Sequence, residues 1–60
     1  MGFKYNIIFM DMDTIGEMDG SETFNDSLYI AESLFEANPI IQQIEIWDLD
    51  EERCVHIIQE

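Results

Sequence analysis

Gln43-Ile44-Glu45-Ile46-Trp47-Asp48 alternates apolar and polar residues, and beyond Asp50-Glu51-Glu52 the chain resumes with Arg53-Cys54-Val55-His56-Ile57-Ile58. Two β-rich runs flanking a short acidic stretch read as a hairpin. Their period of two gives each strand one face for a core and one for water. Immediately upstream, Asn38-Pro39 closes a different kind of segment. Asn tolerates a helix C-terminal cap, and Pro cannot continue a helix. That helix starts at Thr23, with Asp26 three residues on as a capping-box partner, or at Asn25. At about 100° per residue, Phe24, Leu28, Ala31, Leu34 and Phe35 share one side, which must pack on the sheet. Further upstream, Phe3-Lys4-Tyr5-Asn6-Ile7-Ile8-Phe9-Met10 is aromatic and β-branched and reads as a first strand. Asp11 to Gly20 holds four acids and two glycines and reads as a loop.

The expected fold is therefore α+β: a single domain over residues 1–60, in the order β-α-β-β. One helix packs on one face of a three-stranded, antiparallel-type sheet. Phe3, Tyr5, Ile7, Phe9, Ile44, Ile46, Val55 and Ile57 should face the helix, and Ile8, Met10, Trp47, Cys54, His56 and Ile58 should face away. One helix covers one face only, so Ile8, Met10, Trp47 and Ile58 form an expected homodimer interface. A register error of one residue would exchange the two faces.

Charge bounds the partners. Fourteen acids stand against Lys4 and Arg53, for a net charge of −12. At 47% hydrophobic the chain is too apolar for a disordered acidic tail. Solubility alone needs a charge of magnitude ~2–8 in a small domain. Such a surface repels nucleic acid and anionic membranes directly, and a basic protein surface is its natural counterpart. Cys54 is the single cysteine, which excludes an internal disulfide and suits a reducing cytoplasm. The longest apolar run, Ile7 to Met10, is too short for a membrane span or a signal-peptide core. Met1-Gly2 opens like an acylation site, but Asn6 stands where Ser or Thr belongs. A cytoplasmic protein is expected, in the host cytoplasm for a phage-encoded chain.

Two surfaces gather the acids. Glu22, Asp26, Glu32 and Glu36 lie on the outer side of the helix around Tyr29, an aromatic anchor of the kind that interfaces use. Asp48, Asp50, Glu51 and Glu52 gather at the hairpin tip. Asp48 and Asp50 also suit a turn for conformational reasons alone.

Three resemblances bear on function. Phe9-Met10-Asp11-Met12-Asp13-Thr14 resembles the first motif of haloacid-dehalogenase-type phosphatases, in which a strand delivers a nucleophilic Asp and a second Asp two residues on. Here the Thr comes one position early, and 60 residues cannot carry that fold's remaining lysine and acidic motifs. Residues 11–22 resemble an EF-hand loop, with Asp11, Asp13, Glu17, Asp19 and Glu22 at ligand positions and Gly16 at the sixth. That resemblance implies calcium, although Ile15 replaces one oxygen ligand and a strand precedes the loop. In length and charge the chain resembles the small acidic DNA-mimic proteins of phages, such as anti-restriction and anti-CRISPR inhibitors. That resemblance implies an inhibitor that offers carboxylates where a nucleic-acid-binding protein expects phosphates.

Cys54 and His56 could meet on one strand face. A thiol nucleophile also needs an oxyanion hole and a pocket, and a chain this short has little room for one of even ~300 Å³. No catalytic residue and no obligatory cofactor are expected. The chain reads as a binding protein and not as an enzyme. The readings are an acidic inhibitor of a basic, nucleic-acid-binding protein, a dimeric interaction module using its open sheet face, or a weak calcium-binding module.

Overall fold

The computed structural model describes residues 3–59. Met1, Gly2 and Glu60 lie outside the described residues, and with them the acylation reading of Met1-Gly2. The elements are β1 (Tyr5–Met10), β2 (Ile15–Asp19), α1 (Phe24–Ala37), β3 (Gln43–Asp48) and β4 (Arg53–Gln59). The sheet runs β2-β1-β3-β4 with every neighbour antiparallel. The α+β class holds. The expected three-stranded β-α-β-β order does not: there are four strands, in the order β-β-α-β-β.

The extra strand is β2, inside the stretch that reads as a loop. Ile15-Gly-Glu-Met-Asp19 carries the acids and glycine of a loop, yet it pairs with β1 along its own whole length, from Asn6 opposite Asp19 to Met10 opposite Ile15. A tight turn makes that pairing possible. The Oδ1 of Asp11 accepts from the backbone N–H groups of Asp13 (2.9 Å) and Thr14 (2.8 Å). The Thr14 hydroxyl donates to the same carboxylate at 3.0 Å, and Asp11 N–H donates to Thr14 C=O at 3.1 Å. These backbone and hydroxyl donors favour the ionised carboxyl and hold its pKa below the usual carboxylate range.

Gly16 faces Phe9 across the pair, and the Phe9 ring lies where a Gly16 side chain would be: a Cβ there would stand 2.3 Å from ring carbons. A glycine that weakens a strand by itself is thus covered by its neighbour's aromatic ring.

The helix begins where the sequence says. Thr23 is the N-cap, its backbone extended and its Oγ1 accepting from the Asp26 N–H at 3.2 Å. Ser27 is fully buried. Its hydroxyl accepts from Ser21 N–H and donates to Thr23 C=O, both at 2.9 Å, which stitches the β2–α1 connection onto the first helical turn. Asn38 caps the other end, its Nδ2 donating to Leu34 C=O at 3.0 Å. Ala31, with no side chain beyond Cβ, brings the helix close to Ile7, Ile44 and Ile46, all fully buried. Removing each of those isoleucines from water contributes roughly 1.5–3 kcal/mol. Tyr5, Phe9, Phe24, Leu28, Leu34, Phe35, Val55 and Ile58 pack around them. The helix lies over β3, β1 and β4 and makes no contact with β2.

The expected faces hold for β1 and β3 and fail for β4. The β3–β4 register shifts between Ile46, opposite His56, and Trp47, opposite Cys54, so Val55 is an extra residue in β4. This bulge exchanges the faces of the rest of the strand. His56 stands edge-on to Phe24 of the helix, centroids 5.8 Å apart, and Ile58 joins the core. Ile57, expected inside, is instead on the open face and 48% exposed. Ile58 therefore leaves the expected dimer interface.

Candidate partner-binding surface

Asp26, Tyr29, Glu32 and Glu36 follow one another at spacings of three and four, so they form a stripe along the outside of α1 about 15 Å long. All four are exposed, as are Glu22 just before the helix and Ser33 beside Tyr29. Tyr29 is 73% exposed, so its ring is not folded down over its neighbours. The helix has no basic residue in its last turn, where Glu36 sits instead. The C-terminal end of a helix carries partial negative charge, so a carboxylate there works against the helix that bears it.

The hairpin tip is less available than its composition suggests. Asp48 is buried, and its Oδ1 accepts from Asp50 N–H (2.9 Å) and Glu51 N–H (3.2 Å). It shapes the turn. Glu51 accepts from Arg53 Nε at 2.9 Å. Asp50 and Glu52 remain exposed, and Glu52 holds the turn in a left-handed conformation, φ 55°. Tyr5 faces Asp48 across the sheet and packs edge-on against Phe24, so this tip and the start of the helix share one end of the molecule.

The open sheet face carries Ile8, Met10 and Trp47 as expected, together with Ile57. It is not a continuous apolar surface. Glu45 stands at its centre, opposite Ile8 on one side and Ile57 on the other. One of its oxygens accepts from Gln43 Nε2 at 3.0 Å, and the other from Trp47 Nε1 at 2.9 Å. Nearby, Asn6 Nδ2 donates to Glu17. Alternation along β3 places Glu45 on this face in the sequence itself, but its two partners emerge only in three dimensions.

The five residues of the EF-hand-like pattern are spread over three elements. Asp11 and Asp13 lie in the β1–β2 turn, Glu17 and Asp19 on β2, and Glu22 in the connection to α1. Among the described residues, no group of three or more His, Cys, Asp or Glu side chains converges to hold a metal ion. Cys54 is half-buried, its thiol donating to the His56 carbonyl at 3.3 Å, and the His56 ring lies against Phe24.

The surface holds more room than the chain length suggests. A groove of about 550 Å³ opens between the β1–β2 turn and the α1–β3 connection, walled by Met12, Thr14, Pro39 and Ile40. None of the acidic helix residues lines it. Among the described residues, no helix is long and apolar enough to cross a membrane. The chain matches no family model, no curated protein and no solved structure.

Proposed function

We propose that this chain is an acidic binding protein whose partner is a basic, nucleic-acid-binding protein, and that the outer face of α1 is its main contact surface. The observation that carries this reading is Tyr29, an exposed aromatic ring in a stripe of carboxylates with no cation among them. Glu32 and Glu36, one helical turn apart, have Cβ atoms ~5–6 Å apart, a spacing comparable to that of successive phosphates, and Asp26 lies farther along beyond Tyr29. Glu36 supports the same reading, because a charge kept where the helix disfavours it marks a site selected for something other than stability. The open sheet face is a poorer candidate, because the Glu45 carboxylate interrupts it.

The test is binding to basic nucleic-acid-binding proteins at rising salt, with added DNA as competitor. The variant Glu22→Gln, Asp26→Asn, Glu32→Gln, Glu36→Gln should lose binding, while Asp50→Asn, Glu51→Gln, Glu52→Gln should largely keep it. Asp48 is left out of that control because the turn depends on it. Equal losses from both variants would reject the helix-face assignment. Binding that ignores salt and DNA would reject mimicry of nucleic acid.

A further inference from the structure

We propose that the free edge of β2 is a strand-docking site that takes an extended segment of the partner, alternating a lysine or arginine on the open face with an apolar residue on the helix side. This rests on the reading of a basic partner given above and adds where and in what conformation that partner binds.

The backbone comes first. Asp11 N–H donates to Thr14 C=O, and Gly20 N–H donates to Tyr5 C=O at 3.0 Å. In an antiparallel ladder these bonds fix the phase of everything between them. Gly16 and Met18 therefore turn their backbone groups toward β1, and Ile15, Glu17 and Asp19 turn theirs outward. Among the described residues no backbone group pairs with this outward edge, and such a row of donors and acceptors is of the kind that a passing strand completes.

The two sheet edges differ in protection. β4 is bulged at Val55 and begins at Arg53, paired with Glu51. Bulges and edge cations are the usual means of discouraging an added strand. The β1–β2 ladder has no register shift, and β2 contains no proline and no lysine.

The layers above and below β2 specify the incoming side chains. On the helix side no helix lies over β2, because α1 does not reach it. That side presents the Phe9 ring across Gly16, and Met18, 36% exposed. An apolar side chain from an added strand would complete this unfinished layer. On the other side, Glu17 and Asp19 project as exposed carboxylates and call for cations. Ile15, 73% exposed, offers an apolar stop at one end.

Charge also excludes the most familiar occupant of a free edge, a second copy. Edge-to-edge pairing of two chains, each of net charge −12, would bring Glu17 and Asp19 against the same acids of the other copy. Like charges facing each other on neighbouring strands are destabilising.

The experiment uses the full chain, titrated with a synthetic peptide of alternating lysine and valine and, separately, with a block peptide of the same composition. Binding is followed by amide NMR and hydrogen exchange. The alternating peptide should bind roughly tenfold more tightly, since only it can place backbone bonds, cations and apolar groups together. The Ile15, Glu17 and Asp19 amides should gain protection. Ile15→Pro removes an outward N–H at the first position of the strand, where proline is tolerated, and should abolish that preference. Asp19→Lys, which leaves every backbone bond in place, should do the same if the proline variant does not fold. Equal affinity for the two peptides with shifts confined to Asp26, Tyr29 and Glu32 would overturn the edge site and leave the basic-partner reading standing. Absence of protection at the three edge amides overturns the edge site in every case. The basic-partner reading itself fails if the unaltered chain binds no basic nucleic-acid-binding protein, whereas undiminished binding by the helix-face variant would reject only the helix face.

Discussion

The indole of Trp47 donates to the Glu45 carboxylate two residues before it on the same strand, Nε1 to Oε1 at 2.9 Å, in the middle of the sheet face that the helix leaves open. A charged group held by two neighbours among Ile8, Ile57 and Trp47 acts against self-association, because a second molecule pressed onto this face would have to strip water from it.

The chain should therefore be monomeric at about 100 μM, well below the ~1 mM expected of a weak chance contact. Glu45→Leu should remain folded and self-associate. Sedimentation velocity on both proteins decides it. A wild-type dimer that Trp47→Glu dissociates would show instead that the open face is an interface despite Glu45.

Gly16 and Phe9 predict a specific pairwise effect. A methyl group at position 16 would enter the Phe9 ring, so Gly16→Ala should cost about 1–3 kcal/mol, as overpacking does. In a Phe9→Leu background the same substitution should cost much less. Urea denaturation of the four proteins gives the coupling. Additive losses would mean that the ring does not occupy that space in solution.

Much of this molecule was legible in its sequence. The helix from Thr23 to Asn38 declared itself through its cap, its apolar side and Pro39. The inward faces of β1 and β3 followed from alternation. β2 was hidden because an edge strand touched by no helix needs no apolar periodicity; its acids and Gly16 look like a loop, and what makes it a strand is Phe9 across the pair and the Asp11 turn. The face of Ile58 was misread because a bulge at Val55 leaves no mark in a run of β-branched residues. At the candidate site, exposed Tyr29 and its acids were readable from helical spacing. For Asp48 the sequence offered both a turn role and a binding role, and composition could not choose between a displayed carboxylate and one spent on two backbone N–H groups.

Glu36 should be a residue whose replacement improves stability and harms binding. Glu36→Lys puts a cation at the negative end of the helix and should stabilise the protein by about 0.3–1 kcal/mol at low salt. The same variant should bind a basic partner less well. Thermal melts and a binding titration together make the check, and unchanged affinity would remove Glu36 from the contact surface.

Asp11 predicts a pH dependence with a definite sign. Its folded-state pKa lies below the usual carboxylate value because Asp13 N–H, Thr14 N–H and the Thr14 hydroxyl favour the charged form. Such a group contributes stability above its unfolded pKa of about 3.9 and loses it as pH falls through the lower folded value. Asp11→Ala should accordingly be destabilising at neutral pH, and the gap from wild type should narrow on acidification below pH ~4. A gap independent of pH would assign the turn to shape alone.

The order β2-β1-β3-β4 also sets how the chain must assemble. Each hairpin closes over a handful of residues, but the sheet has no centre until β1 meets β3, and the nearest residues of that pairing, Met10 and Gln43, are 33 positions apart. Closing so long a loop costs entropy before Ile7 and Ile46 can bury each other, so the meeting of the two hairpins around α1 should be the slow event. Truncating Ile46 should slow refolding, whereas truncating Met18 on the outermost strand should mainly hasten unfolding.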